Sequence, residues 1–416
     1  MSEAAALDRN PPADPDMAPV SRRTALVVTL ALAVGSFGVG TGEFAIMGLL
    51  PDAARELNVS TPEAGHLISA YAFGVVVGAP AIAILAAKLS RRALLLLLML
   101  AFVAANLASA VVPGYLPLVI TRFVSGFPHG AYFGVAALVA ASMAPPRKRA
   151  QAIGRVMLGL TTATLVGTPL AAALGQFFGW RAMFVFVGAV GAAALVLLWA
   201  TLPRDRVAEG ASALRELGAF MRRQVWLTLG IVAVGFGGMF SVFSYIASTA
   251  TLVAGLSEDF IPIILALFGI GTIAGNIIGA WLADRSLMGT LAGMMIFNVC
   301  VLVLFSLTAQ SAPLLELCVF LIGFGIAVGP AVQSRLMDVA GDAQTLAAAS
   351  MHSAFNVANA LGAWLGGLSI AAGYGYASTG WVGVTLGLAG LGIFAVSWLD
   401  EQASRREAAA AAGCSA

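Results

Sequence analysis

The sequence predicts an all-α membrane protein of twelve transmembrane helices arranged as two pseudo-symmetric six-helix halves. Three observations carry that expectation. Of the 416 residues, 60% are hydrophobic and 10% charged, whereas a soluble chain carries about 25% charge. Apolar runs long enough to cross a bilayer recur along the whole chain, and twelve of them at about 20 residues each consume roughly 240, leaving the remainder for loops and tails. The longest polar interval between runs falls in the middle of the chain. A mean hydropathy of +0.94 excludes a disordered protein or a nucleic-acid binder, neither of which has this much apolar sequence. The net charge of +2 singles out no partner.

Residues 1–23, rich in Pro, Ala and Asp (Pro11, Pro12, Asp14, Pro15, Asp16), have no apolar core behind a basic start; they are expected to be a disordered cytoplasmic tail and not a signal peptide. The N-terminal half, 24–202, holds spans near 24–50, 64–87, 93–112, 116–143, 152–177 and 182–202. A cytoplasmic linker at 203–223 follows, where Arg204, Asp205, Arg206, Glu209, Arg215, Glu216, Arg222 and Arg223 crowd together. The C-terminal half, 224–399, holds spans near 224–254, 259–283, 288–309, 313–337, 345–372 and 376–398, and 400–416 forms a second cytoplasmic tail. Three cysteines, Cys300, Cys318 and Cys414, are an odd number without metal-ligand spacing, so neither a disulfide framework nor a metal site is expected.

Basic loops are retained on the cytoplasmic side. With both termini inside, all but four of the 22 Lys and Arg residues fall on that side; Arg55 and Arg181 lie opposite, and Arg122 and Arg155 lie within spans. Ala150-Gln151-Ala152-Ile153, opening span five, can be laid on Ala343-Gln344-Thr345-Leu346, opening span eleven; Gly167, Pro169 and Gly175 then fall near Gly362, Gly366 and Gly367. Two similar halves imply a site between them.

Ionisable residues inside hydrocarbon are costly and are functional candidates by default. Glu43, in span one, lies about eight residues before Pro51, roughly 12 Å from the outer end at 1.5 Å per residue. Arg122, in span four, lies about five residues after Pro117, roughly 8 Å from the same face. A carboxylate beside an arginine is held ionised, and one facing an apolar cavity can hold a proton at neutral pH; either state suits proton coupling, and the structural alternative is an ion pair locking two helices. Arg155, one turn inside span five, is expected to snorkel to the headgroups.

Two of the three histidines, His129 in span four and His352 in span eleven, lie at membrane depth, where a lone histidine is more often a packing residue than a titrating one. His352, Asn356 and Asn359 share one helix face at i, i+4 and i+7, a stripe that either glues helices or lines a wet cavity. Ser241, Ser244, Tyr245 and Ser248 in span seven repeat that signal more weakly, and helix packing is the favoured account of them. Pro169, behind Gly167 and Thr168, should kink span five beside a cavity or another helix. The two lysines, Lys88 and Lys148, stand outside any phosphate-binding loop, so no ATP hydrolysis is expected. Without a zinc motif, a nucleophile elbow or a paired acid cluster, neither an enzyme nor a cofactor is expected.

Four stretches resemble the major facilitator superfamily in its twelve-helix drug-proton antiporter branch, and within it the bacterial arabinose-type sugar efflux and chloramphenicol exporters. They are Thr-Gly-Glu-Phe-Ala-Ile-Met-Gly-Leu-Leu-Pro (41–51), Arg-Phe-Val-Ser-Gly-Phe-Pro-His-Gly-Ala-Tyr-Phe-Gly (122–134), Gly-Trp-Arg-Ala-Met-Phe (179–184) and Ala-Phe-Asn-Val-Ala-Asn-Ala-Leu-Gly-Ala-Trp-Leu-Gly-Gly (354–367). The resemblance covers residues 24–400. It implies that Arg122 is tied to proton coupling and that Glu43 is the acid that reads substrate or proton. It also implies that Gly159 through Gly175 is the antiporter motif of span five, although Thr168 splits its Gly-Pro pair and Ala171-Ala172 stand where glycines are usual. The gating loop between spans two and three departs from the family: 83–92 reads Ala-Ile-Leu-Ala-Ala-Lys-Leu-Ser-Arg-Arg, so that Lys88, Arg91 and Arg92 are kept and Ala87 replaces an aspartate. The C-terminal copy, Leu282-Ala283-Asp284-Arg285, keeps its core, and gating is expected to lean on Asp284 and Arg285.

The expected function is proton-coupled export of a small solute, a drug such as chloramphenicol or a sugar-like compound, by antiport. Proton symport for uptake and a non-transporting membrane sensor are the alternatives. Six-plus-six symmetry favours a transporter over a sensor. The partners expected are the small-molecule substrate, protons and the lipid bilayer, with no nucleic acid. The protein is expected to act as a monomer in the cell (inner) membrane, with both termini cytoplasmic.

Overall fold

The computed structural model describes residues 21–85, 89–145, 149–204, 221–340 and 344–413. Most of the tail expected at 1–23, Ala87 and Lys88 of the gating loop, and most of the linker lie outside these residues. The described residues are helical throughout, with no strand among them.

Span one is α1 (Arg22–Gly48), started by Ser21, whose hydroxyl accepts the Thr24 N–H at 3.1 Å. Pro51 opens the short α2 (Leu50–Leu57), and Ser60 with Glu63 forms a capping box on α3 (Thr61–Ala64). The Glu63 carboxylate accepts the Ser60 N–H at 2.8 Å and its hydroxyl at 2.7 Å, which holds this acid below the usual carboxylate range. Spans two, three and four are α4 (His66–Leu85), α5 (Arg91–Val111) and α6 (Tyr115–Ser142). Span five is α7 (Arg149–Thr162) and α8 (Thr168–Phe178), joined by a π-turn at Ala163–Gly167, and span six is α9 (Ala182–Thr201). The irregularity expected at Pro169 is this π-turn, which ends just before the proline. Its wider winding takes up the geometry that a proline in mid-helix cannot satisfy.

The second half opens with a span in three pieces, α10 (Arg223–Gly235), α11 (Gly237–Phe243) and α12 (Ile246–Leu252). Next come α13 (Ile261–Ala283) and α14 (Leu287–Thr308), then α15 (Ala312–Phe324) and α16 (Gly329–Ala340) linked by a 3-10 turn. The last two spans are α17 (Gln344–Ser369), which ends in a π-turn at Ile370–Tyr374, and α18 (Ser378–Gly413), which continues as helix into the expected tail. Among the described residues, 11 helical runs are long and apolar enough to cross a membrane. The 20-residue α4, about 30 Å long, takes the second position and completes twelve.

Close backbone approach at glycine builds both halves in the same way. A Cβ on Gly126 of α6 would fall 2.1 Å from the Tyr71 carbonyl oxygen of α4, and one on Gly323 of α15 would fall 2.3 Å from the Phe268 carbonyl oxygen of α13. Gly74 and Gly78 of α4 sit against Phe123 and Phe127 of α6, as Gly271 and Gly275 of α13 sit against Phe320 and Phe324 of α15. Every member of one set lies at the same spacing along the chain from its counterpart in the other. Gly159 and Gly167 of span five abut α1 and Gly362 and Gly366 of span eleven abut α11, but the register read between those spans, Ala150 on Ala343, is four residues shorter than the spacing of the glycine pairs.

The halves meet at the end of the bundle away from the chain termini, called here the distal end. Ser69 donates to the Ala360 carbonyl at 3.3 Å, Tyr376 to Thr61 at 3.3 Å and Gln176 to the Glu258 carbonyl at 2.7 Å, and Arg55 lies 3.5 Å from the Glu258 carboxylate. At the terminal end the bonds run within a half. Arg92 donates to the Leu202 and Trp199 carbonyls, Arg335 to Gln224 at 3.2 Å and Glu401 at 2.6 Å, and Arg223 to Asp400 at 2.6 Å.

The glycine contacts set a stability prediction. Gly126→Val should lower the thermal midpoint of the detergent-purified protein by an amount equivalent to about 1–3 kcal/mol or more, because overpacked backbone cannot yield as side chains do. Gly134→Ala on the same helix, where an added Cβ meets nothing within 4 Å, should leave the midpoint unchanged. Equal midpoints in the two variants would refute the account.

Candidate functional site

Arg122 projects from α6 between α1 and α4 and is wholly buried. Its Nη1 donates to the Gly42 carbonyl of α1 at 3.1 Å and its Nε to the Leu67 carbonyl of α4 at 3.4 Å. The guanidinium lies over the Tyr71 ring, 4.4 Å from its centroid, with Phe184 at 5.7 Å. A planar fork of donors suits this double carbonyl contact, and the ring faces offer the cation partners where water is absent. Of the two partners the sequence left open, Glu43 or helix carbonyls, the arginine takes the carbonyls.

Glu43, on the residue next to the clamped Gly42, is itself buried and faces the other half of the molecule. Asn359 of α17 donates its Nδ2 to Glu43 Oε1 at 3.3 Å. On the other side of the carboxyl, His129 Nε2 of α6 stands 4.0 Å from Oε2. The His129 Nδ1 bonds the Tyr71 hydroxyl at 3.0 Å, so the tyrosine that covers Arg122 also sets the imidazole's orientation. Phe133, one helical turn beyond His129, stacks on His352 with ring centroids 5.1 Å apart and planes 4° from parallel, and the two imidazoles are 6.5 Å apart. Asn356 spends its Nδ2 on the His352 carbonyl at 3.0 Å. The amide oxygens of Asn356 and Asn359 are both buried without a partner. Next to the cluster, Phe44 stacks on Phe240 at 6.4 Å and meets Phe243 edge-on at 6.3 Å, which lines the seam with aromatic rings from both halves.

The predicted residues divide into those gathered here and those placed elsewhere. Glu43, Arg122, His129, His352, Asn356 and Asn359 converge from α1, α6 and α17. Ser241 and Tyr245, candidates for a cavity wall, are bonded inside the second half: Ser241 donates to the Thr379 carbonyl at 2.8 Å, and Tyr245 to the Ala363 carbonyl at 2.7 Å. These bonds tie span seven to α18 and α17, while the Ser244 and Ser248 hydroxyls of the same stripe are buried without a partner among the described residues. Gly167 and Gly175 face Thr41 and Leu49 of α1, and Pro169 opens α8 behind the π-turn. Arg91 and Arg92 begin α5, the latter bonded to the end of span six as described above. Asp284 and Arg285 are exposed at the end of α13, where Arg285 donates to the Trp281 carbonyl at 3.1 Å and lies over its ring.

Tyr71 and Phe133 were missed. Tyr71 had a readable signal, as a phenol within an apolar run in a chain with six tyrosines. Phe133 had none, since its role depends on a residue of the other half. Among the described residues no group of three or more His, Cys, Asp or Glu could hold a metal ion. The cluster can do acid–base work: a carboxyl closed in between two halves changes its charge only when one side of the bundle admits water.

The Major Facilitator Superfamily profile matches residues 32–343. The inner membrane transport protein YdhP of Escherichia coli (strain K12) is 39% identical over 367 residues, covering 88% of this chain and 94% of its own length. A probable sugar efflux transporter of Helicobacter pylori (strain G27) is 30% identical, covering 89% and 95%. The crystal structure of a bacterial homologue of the human lysosomal transporter Spinster, in an inward-facing and unoccupied conformation, superposes with a TM-score of 0.73 at 17% identity, covering 91% and 98%.

The carbonyl clamp makes its own prediction. Lysine in place of Arg122 keeps the charge but cannot hold Gly42 and Leu67 at once, and a hydrogen bond to a charged group contributes about 1.5–3 kcal/mol. Arg122→Lys should therefore lower the thermal midpoint, and Arg122→Ala should lower it further. Identical unfolding curves by tryptophan fluorescence for the wild type and both variants would remove the clamp from the account.

Proposed function

The chain belongs to the major facilitator superfamily, and we propose that within it this protein is a proton-coupled antiporter of the cell (inner) membrane that exports a small solute, a drug such as chloramphenicol or a sugar-like compound. One observation carries the reading: the buried acid of the first half, Glu43, has its side-chain hydrogen-bond partner, Asn359, on the second half. A group that gains and loses a proton at such a seam changes the free energy with which the halves adhere, which is what coupling a proton to alternating access requires. His129 and Tyr71 set the surroundings of the carboxyl, and Arg122 fixes the helices that present it.

The moving parts are the halves at 24–202 and 224–399, joined by the linker at 203–223. With both termini cytoplasmic, the distal contacts face outward and this conformation opens to the cytoplasm, the side from which an exporter loads. The names carried by the two relatives, a transport protein of the inner membrane and a sugar efflux transporter, support location and direction. The tight seating of Gly159, Gly167 and Gly175 on α1 is in keeping with the antiporter motif. The protein works as a monomer in lipid, without a cofactor.

In inverted vesicles energised to an acid interior, addition of an exported solute should release protons, read as dequenching of a pH-sensitive dye, with chloramphenicol and arabinose as first probes. Glu43→Gln should reach the membrane at the wild-type level and lose proton-driven accumulation by at least about tenfold. Proton-driven accumulation that survives unchanged in Glu43→Gln would make this acid structural. Reporter tags at either terminus should register as cytoplasmic, and a periplasmic C-terminus would sink the twelve-span topology.

A further inference from the structure

Asn359 is wholly buried, yet half of its amide is idle: Nδ2 donates to Glu43 Oε1 at 3.3 Å, and Oδ1 has no partner. A buried acceptor without a donor is costly, and an amide carries its donor and acceptor side by side. The neighbouring carboxyl lacks a donor when ionised and has one when protonated. We propose that Asn359 is the positioning residue through which the C-terminal half reads the proton on Glu43. The carboxylate takes a single bond from Nδ2. The acid keeps that bond through one oxygen and returns its own O–H to Oδ1 through the other, closing a cyclic amide–acid pair across the seam. The proton comes from water on whichever side the cavity is open, resides on a Glu43 oxygen and leaves by the same side. No bond between heavy atoms is made or broken.

The contact is built to transmit this change. Ala360, the next residue on α17, accepts the Ser69 hydroxyl at 3.3 Å, so α17 docks at adjacent positions on α1 and α4. Arg122 ties those two helices together through Gly42 and Leu67. A second hydrogen bond at Glu43 therefore strengthens the whole distal seam, and protonation favours the conformation seen here. An antiporter needs that order, because the proton brought from outside has to favour closure on that side before it is released inside.

The ionisable groups around Glu43 are few. Arg122 and His129 come from α6, Tyr71 from α4, and His352 from α17, with Phe133 stacked on it. At the break between α11 and α12, Tyr245 is bonded to the Ala363 carbonyl. Arg181, at the start of α9, is held by Glu56 at 2.9 Å, and α8 and α13 bring no ionisable side chain. The charges of α2, α5 and α7 lie toward the ends of the bundle.

This inference rests on the reading of Glu43 as the proton carrier, and the test separates the two. Spin labels at Val111→Cys and Leu252→Cys, both exposed near the distal ends of opposite halves, would report the gap by double electron–electron resonance in nanodiscs, with Cys300, Cys318 and Cys414 replaced by alanine. In the wild type the closed fraction should fall as pH rises. Glu43→Gln should stay closed at every pH, because a glutamine amide pairs with both atoms of the asparagine as the acid does. Asn359→Leu, and Asn359→Ser as a smaller polar variant, should cut the pH-driven change in closed fraction at least about fivefold although Glu43 remains. Adding Asn359→Leu to Glu43→Gln should release the locked closure. A wild-type pH response in both Asn359 variants would overturn the role of Asn359 and leave Glu43 standing. A pH response that persists in Glu43→Gln, or is lacking in the wild type, would overturn Glu43 as the carrier and Asn359 with it.

Discussion

A charge buried at membrane depth has to find its solvation inside the protein, and the arrangement of this site follows from how Arg122 and Glu43 meet that demand. The arginine meets it within its own half, with two main-chain carbonyls and an aromatic face. Those contacts draw α1, α4 and α6 into one unit. The glutamate meets it across the seam, at an asparagine of α17. Had the two charges simply paired, the N-terminal half would carry a self-satisfied ion pair with no reason to engage the other half. The arginine spends Nε and Nη1 on carbonyls and keeps Nη2 buried without a partner, while the carboxyl binds elsewhere. A strong local clamp thus makes the weaker distant contact necessary.

The frame that holds these groups is symmetric and the chemistry is not. The spacing that relates Gly126 to Gly323 and Phe123 to Phe320 also relates Arg122 to Val319, Ser125 to Ile322, His129 to Ile326 and Glu43 to Phe240. Both halves therefore keep the glycines that let paired helices touch, because that requirement is geometric and applies twice. Glu43, Arg122 and His129 have no polar counterpart at the matching positions of the second half, which contributes His352, Asn356 and Asn359 from α17 instead. At the matching position the second half offers Phe240, which stacks on the neighbour of Glu43. Duplication of the packing with divergence of the polar residues leaves Glu43 without a counterpart acid at the matching position of the second half.

How much of this was legible in the sequence depended on how far along the chain the interacting residues lie. Span positions follow from apolar run length, a local property, and Glu43 and Arg122 stand out because hydrocarbon makes any charge conspicuous. The stripe of His352, Asn356 and Asn359 was visible from helical periodicity. What it faces was not, since Asn359 and Glu43 belong to different halves. The same limit hid Phe133 and the carbonyl partners of Arg122, because a main-chain oxygen leaves no mark in a sequence. The stripe of Ser241, Ser244, Tyr245 and Ser248 looked like the asparagine stripe by periodicity, yet Ser241 and Tyr245 find carbonyls on α18 and α17 within their own half while the hydroxyls of Ser244 and Ser248 find none. Residue type and spacing gave a polar face, and only the neighbouring helix decided between cavity and packing.

The strengths of the contacts within and between halves point to how the molecule moves. Within a half, glycine pairs bring backbones together along whole helices, and parting them would open voids that nothing could fill. Across the seam the polar contacts at Ser69, Tyr376 and Asn359 are each 3.3 Å long, the Gln176–Glu258 bond is 2.7 Å, and the Arg55–Glu258 pair is exposed at 3.5 Å. Neutral bonds of this kind contribute about 1 kcal/mol each, a bond to an ionised carboxylate about 1.5–3 kcal/mol and an exposed ion pair about 0–1 kcal/mol. Not every seam contact is of that kind: a Cβ on Gly65 would fall 2.2 Å from the Tyr245 hydroxyl, and one on Gly269 of α13 would fall 2.5 Å from Leu165, within the π-turn of span five. Backbone meets backbone there across the two halves, at the point where the helix is already loosely wound. Helices seated on one another through glycine inside each half, and joined across the distal end by separate side-chain contacts, part at that seam at lower cost than either half comes apart.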